Sequence, residues 1–290
     1  MPANFGDALR QRFDRYGQLC VGIDPHAAIL ADWGLDDTVP GLERFAMEVL
    51  DASAERVGVI KPQVAFFERF GSAGLAVLER LASKAQQTDL LVIMDAKRGD
   101  IGSTMQGYFD AWLSKDAPFT CDALTLSPYL GLHSLDDVLS VCSELGKGVF
   151  VLAATSNPEA TELQKARMGE TTVAADVLKG LNSANRIQLS PGGRLGPFGA
   201  VIGATVDLFE SELAPILNAD SYVTPILAPG FGYQGARLEG INSIFGSSSA
   251  AVLASVSRSV LGAGASGIRH AIDAAKQELA TGLSKGVQDA

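Results

Sequence analysis

Short apolar, β-branched runs recur along the chain: "LCVGID" (19–24), "GVIKPQ" (58–63), "LLVIMDAK" (90–97), "DALTLSP" (122–128), "GVFVLAAT" (148–155), "GAVIGAT" (199–205), "YVTPILAP" (222–229) and "AAVLASVS" (250–257). Between most of them lie stretches such as "LERFAMEVLDASAER" and "AGLAVLERLASKAQQ", whose apolar residues return at helical spacing. Strands that are apolar on both faces and alternate with helices predict a parallel sheet covered by helices. Eight such units in 290 residues fit an α/β fold of the (β/α)8 TIM-barrel type, whose usual size is ~250 residues plus insertions. An open doubly wound sheet is the alternative, because counting strands does not establish closure. The strand ends favour the barrel. Asp24, Lys61, Asp95, Lys97, Ser127, Thr155 and Arg258 all stand at or just past the C-terminal end of a run, the rim on which such barrels build their sites.

No linker or low-complexity stretch divides the chain, so residues 1–290 read as a single domain. The one oversized connection, about 156–198, looks like an insertion. It is expected to hold a helix or two and a Gly/Pro loop in "LSPGGRLGPFG", and connections of that length are uncommon unless functional.

Composition narrows the partners. A hydrophobic share of 47% is ample for a large core, and the net charge of −10 argues against nucleic acid or anionic membrane as the main partner. A small anion in a local basic pocket stays compatible with it. Cys20, Cys121 and Cys142 lack CxxC spacing and read as reduced, buried thiols. The opening residues show no basic-then-apolar leader, and no apolar run reaches the ~18 residues of a membrane span. A soluble cytoplasmic protein is expected. His26, His133 and His270 show no ligand spacing, and Trp33 and Trp112 read as packing residues; none is assigned to a site.

The third run ends abruptly in charge: "LVIMDAKRGDIGST", with Asp95, Lys97, Arg98 and Asp100 in six positions. Residues two apart on a strand face one side, so Asp95 and Lys97 point together, toward the barrel mouth. Asp100 falls in the loop, and Thr104 one turn into any helix that begins there. An ammonium flanked by two carboxylates keeps its proton, which suits a proton donor better than a Schiff-base nucleophile. Lys61, ending the second run, would extend the array with a second cation; alternation of sign is what makes such burial tolerable. A solvated salt-bridge cluster is the plainer reading, and the position at a barrel mouth favours a site.

Two segments match GxGxxG, "GFGYQG" (230–235) and "GAGASG" (262–267), and neither follows a first strand as a dinucleotide fold requires. The second reads as helix packing or a turn. The first follows the seventh run and "SRS" (257–259) follows the eighth, where (β/α)8 enzymes commonly bind phosphate. Glycine amides and the planar fork of Arg258 would supply the donors.

Taken together, "DAKRGDIGST" resembles the D-x-K-R-x-D-I-x-x-T signature of the orotidine 5′-phosphate decarboxylase family. "CVGIDP", "VIKPQVAFFE", "LAPGFGYQG" and "SVSRS" are similar to its other segments, in the wording of its longer bacterial branch. The resemblance covers nearly the whole chain. It implies decarboxylation of orotidine 5′-phosphate to uridine 5′-phosphate without metal or organic cofactor, in a homodimer where Asp100, Ile101 and Thr104 complete the partner's site. It further implies that Lys97 protonates C6, that Asp95 sits near the departing carboxylate, and that Asp100 and Lys61 complete the charge array. Asp24 and Thr104 would bind ribose hydroxyls, Ile101 would pack by the ring, Ser127 would bond the pyrimidine edge, and Gln234 and Arg258 would hold the phosphate. Three rivals remain: a metal-dependent sugar-phosphate decarboxylase sharing D-x-K-x-x-D, against which Lys61 stands in place of a metal-binding acid; a silent nucleotide-binding relative; and a Schiff-base aldolase, which the carboxylates beside Lys97 disfavour.

Overall fold

In the computed structural model, which describes residues 4–219 and 221–285, the eight apolar runs form eight parallel strands. They are β1 (Leu19–Ile23), β2 (Val59–Pro62), β3 (Leu91–Arg98), β4 (Ala123–Leu126), β5 (Gly148–Ala154), β6 (Phe198–Ile202), β7 (Ile226–Ala228) and β8 (Val252–Val256). Each pairs with its neighbours in chain order, and β8 closes on β1 through Leu19–Ala254, Cys20–Ser255 and Val21–Val256. That seam decides for the barrel over the open sheet. β7 is the shortest, bounded by Pro225 and Pro229, because proline has no N–H to give the ladder.

Alternation along the strands sorts two cores. Val21, Ile60, Val92 and Leu124 face outward and pack on the surrounding helices. Cys20, Val59, Ile93, Ala123, Phe150 and Leu253 face inward. The inner core is sealed at the N-terminal end of the strands by a helix that stands outside the eight βα units, Phe5–Tyr16. Its Phe5, Leu9 and Phe13 form one apolar stripe that plugs the barrel, with Phe5 edge-on to Phe150 at 6.0 Å. Asn4 caps the helix by accepting the Asp7 N–H at 2.9 Å. Gly6 is required by close approach: a Cβ there would stand 2.1 Å from the Leu195 carbonyl oxygen.

Between Ser156 and Phe198 lie the helix Ala160–Gln164, a two-residue antiparallel ladder of Arg167–Met168 on Thr171–Thr172, and the helix Val173–Gln188. The long helix buries Val177, Leu178 and Leu181. Its Asn185 grips Phe198 at the start of β6, donating to the carbonyl at 2.6 Å and accepting the N–H at 2.9 Å. So most of this segment is the helical half of the fifth βα unit, and the Gly/Pro stretch beyond it reaches back to the plug helix. Among the described residues no helix is long and apolar enough to cross a membrane.

Candidate active site

The inward alternation that is apolar low in the barrel turns polar at the top. Two positions above Val59 is Lys61, two above Ile93 is Asp95, two above Ala123 is Thr125, and two above Leu253 is Ser255. These side chains floor a cavity of about 380 Å³ at the C-terminal rim.

Asp95 is the hub. Its Oδ1 accepts from Lys97 Nζ at 2.6 Å and from Thr125 Oγ1 at 2.9 Å. Its Oδ2 accepts from Lys61 Nζ at 2.9 Å and, with the Gln63 amide turned so that nitrogen faces the carboxylate, from Gln63 at 2.7 Å. Four donors saturate this carboxylate and leave it no free lone pair for a metal ion. The side chains of Lys61 and Asp95 are only 9% and 12% exposed. Burial by itself would raise the Asp95 carboxyl, but the Lys61 and Lys97 ammoniums outweigh it and hold the pKa far below the usual carboxylate range. Burial likewise opposes charge on Lys61, and the Asp95 and Asp24 carboxylates prevail, raising it above the ordinary lysine value.

The aim of Lys97 depends on a backbone departure. The β3–β4 register shifts between Met94 and Arg98, and Lys97 sits at φ +49°, a left-handed conformation costly for a residue with a Cβ. Its N–H is held by Thr125 Oγ1 at 2.9 Å. A bulge of this kind re-aims a side chain at a strand end. It also sends Arg98 away from the cavity, where it pairs with Glu68 and lies over the Trp112 ring at 5.8 Å.

Of the residues expected at the site, Asp24, Lys61, Asp95, Lys97, Gln234 and Arg258 line this cavity. Asp100, Ile101, Thr104 and Ser127 do not. Within one chain the array is thus a carboxylate between two ammoniums, rather than an ammonium between Asp95 and Asp100. Asp100 accepts its neighbour's N–H, that of Ile101, at 2.8 Å, and Ile101 is 61% exposed. Ser127 is half-buried at the end of β4, its N–H donating to the Arg98 carbonyl at 2.7 Å. Past β5, Ser156 does line the cavity, and its hydroxyl donates to Gln234 Oε1 at 3.0 Å. The motifs did not single out Gln63 and Thr125 either. The signal for both is period-two spacing from Lys61 and Ala123. The phosphate-type loop turns at Gly230 (φ +110°) and Gly235 (φ +106°), conformations that glycine takes freely. Arg258 projects over the Tyr233 ring at 3.8 Å.

The ion pairs set the pH behaviour of the fold. A carboxyl depressed on folding adds stability that is complete above about pH 4 and lost as pH falls below its unfolded pKa. A lysine raised on folding adds stability that is complete below about pH 10 and lost above. Asp95→Asn leaves Lys61 buried without its main counter-charge and is expected to cost about 3–5 kcal/mol. In urea unfolding the gap between intact protein and variant should hold from pH 5 to 9 and shrink below about pH 4. A constant gap down to pH 2 would contradict it.

Comparison with known proteins places the chain. The family model described as orotidine 5′-phosphate decarboxylase / HUMPS matches residues 17–269. An orotidine 5′-phosphate decarboxylase of Streptomyces coelicolor is 49% identical over 284 residues, 97% of this chain and 98% of that one. That of Corynebacterium glutamicum strain R is 44% identical over 260 residues, 90% of this chain and 91% of its own. A crystal structure from Streptomyces avermitilis, assigned the same activity, superposes with a TM-score of 0.89 at 48% identity, covering 97% of this chain and 96% of that one. With its signature strand, closed barrel and full-length relatives in agreement, this chain belongs to the orotidine 5′-phosphate decarboxylase / HUMPS family.

Proposed function

We propose that this protein is a lyase that decarboxylates orotidine 5′-phosphate to uridine 5′-phosphate in pyrimidine biosynthesis, without metal or organic cofactor. The observation that carries the reading is the Lys61–Asp95–Lys97 array on the cavity floor. The C6–carboxylate bond breaks, its electron pair stays on C6, and carbon dioxide leaves. A carbanion at C6 has little resonance relief, so a fixed cation beside it is the main available stabiliser. Lys97 supplies that cation and then gives its proton to C6. Asp95 faces the departing carboxylate and positions Lys97, while Lys61 and Gln63 hold Asp95. Asp24 binds a ribose hydroxyl. Ser156 takes the pyrimidine-edge role expected of Ser127 and ties it, through Gln234, to the phosphate loop. Gln234 and Arg258 hold the phosphate, whose binding energy closes the loop over the site. Buried free thiols at Cys20, Cys121 and Cys142 suit a reducing compartment, the cytoplasm.

The working unit of this proposal is a homodimer. Ile101, Tyr129 (77% exposed) and Leu130 present apolar surface on the loops after β3 and β4, which touch where Gly99 meets Ser127. Asp100, Ile101 and Thr104 would then complete the partner's cavity. Lys97→Ala and Asp100→Ala subunits, each inactive alone, are expected to regain about a quarter of intact activity when mixed and reassembled, since half the dimers carry one whole site. No recovery would remove the shared site from the proposal.

The direct test of the reaction is the loss of the orotidine chromophore on mixing the protein with orotidine 5′-phosphate in EDTA. Turnover in EDTA is expected. Activity that needs added magnesium would favour a metal-dependent sugar-phosphate decarboxylase, and nucleotide binding without turnover a silent relative.

A further inference from the structure

Two polar atoms in the cavity wall have no partner among the described residues: Asp24 Oδ1 and Ser257 Oγ, both shielded from solvent. They meet across the seam that closes the barrel. Val21 on β1 pairs with Val256 on β8, so Gly22 lies beside Ser257 and Asp24 rises two positions above it. A Cβ at Gly22 would stand 3.0 Å from Ser257 Cβ and 3.3 Å from Asp24 Oδ1. The two side chains therefore border the one space that this glycine leaves open.

Their chemistry is complementary. A carboxylate oxygen accepts, and a serine hydroxyl has one proton to donate. Leaving both buried and unpaired is unfavourable, and a staggered rotation about one serine bond is a small cost against it. The hydroxyl is not committed elsewhere: Ser257 precedes the short helix Arg258–Leu261 and makes no side-chain cap bond to it.

We infer that Ser257 is a positioning residue for substrate binding. Its hydroxyl donates to Asp24 Oδ1 in the nucleotide-bound enzyme and fixes the plane of the carboxylate, so that Oδ2 is presented to the ribose hydroxyl. Gly22 is part of the device, because any side chain there would wedge the two apart. The inference rests on the proposed reading of Asp24 as the ribose-binding group. It adds a connection from the phosphate-bearing strand end, which carries Arg258, to the ribose-bearing end of β1.

The test is calorimetric titration of uridine 5′-phosphate into the intact protein, Ser257→Ala, Ser257→Thr, Asp24→Ala and the Asp24→Ala/Ser257→Ala double variant. Ser257→Ala is expected to weaken binding about tenfold, the loss of one hydrogen bond to a charged group. Ser257→Thr, which keeps the hydroxyl, should bind as the intact protein does. The double variant should bind no more weakly than Asp24→Ala alone, because both changes remove one interaction. With the analogue lacking both ribose hydroxyls, Ser257→Ala should cost nothing, whereas a merely structural role would weaken both ligands alike. Undiminished binding by Ser257→Ala, or losses that add in full in the double variant, would overturn the inference. Failure of the intact protein to bind uridine 5′-phosphate at all would overturn the functional reading, and this inference with it.

Discussion

Lys97→Ala is expected to lower kcat on orotidine 5′-phosphate by about 10⁴-fold or more, combining the loss of a general acid with the loss of a cation at the developing charge. Two features of the site make the effect large. Nζ is fixed by Asp95 at 2.6 Å, so the cation is in place before the reaction and need not be organised during it. The backbone at Lys97 is held left-handed at φ +49°, a strain that the fold tolerates because it aims this side chain. Water has no such restraint and would stabilise the carbanion poorly in its place. The fold should survive, since Asp95 keeps Lys61 as its buried partner at 2.9 Å. Stopped-flow or steady-state turnover, read beside uridine 5′-phosphate affinity and the unfolding midpoint, separates the outcomes. A variant with more than about a tenth of the intact kcat would show that Lys97 neither protonates C6 nor stabilises it.

Arg258→Ala is expected to lower kcat/KM on the nucleotide on the order of 10³-fold, the loss of two charge-assisted bonds to phosphate. The guanidinium is pre-arranged over Tyr233 at 3.8 Å, at the cavity edge and opposite the loop that turns at Gly230 and Gly235. Phosphate is remote from the reacting carbon, so its binding energy is available to drive closure and desolvation. The informative control is the nucleoside orotidine, which lacks the phosphate. On it, Arg258→Ala should match the intact protein, since the missing contact was never made. An equal loss on both substrates would mean that Arg258 supports the fold rather than the phosphate.

The residues that carry these two predictions are legible in the amino-acid sequence. Strand alternation alone predicts that Asp95 and Lys97 point together, and Arg258 follows the eighth apolar run. Both expectations need only local periodicity and chain order, although the bulge and the left-handed backbone at Lys97 set where that lysine finally points. Asp24 and Lys61 are found in the same way and Gln234 through the family resemblance, and all of them line one cavity. Asp100, Ile101 and Thr104 belong to the signature, but a single chain leaves them outside its own cavity. Their place in a site is a question of assembly.

What the sequence by itself determined is the set of eight strands, their parallel sense and the end at which polar and charged residues gather. These follow from apolar runs alternating with helical periodicity, and each is decided within a few residues. Only the tertiary structure decided closure, which required Leu19–Ile23 to meet Val252–Val256 from opposite ends of the chain. It also decided that Phe5–Tyr16 is a plug, since an amphipathic stripe does not say what it will cover. It decided as well that Ser156 lines the cavity and Ser127 does not, and that β3 shifts register and holds Lys97 left-handed, none of which has a mark in local sequence. Gln63 and Thr125 became partners of Asp95 because β2, β3 and β4 lie side by side. Period and polarity are properties of a segment, whereas the pairing of one segment's charge with another's hydroxyl is a property of the closed barrel.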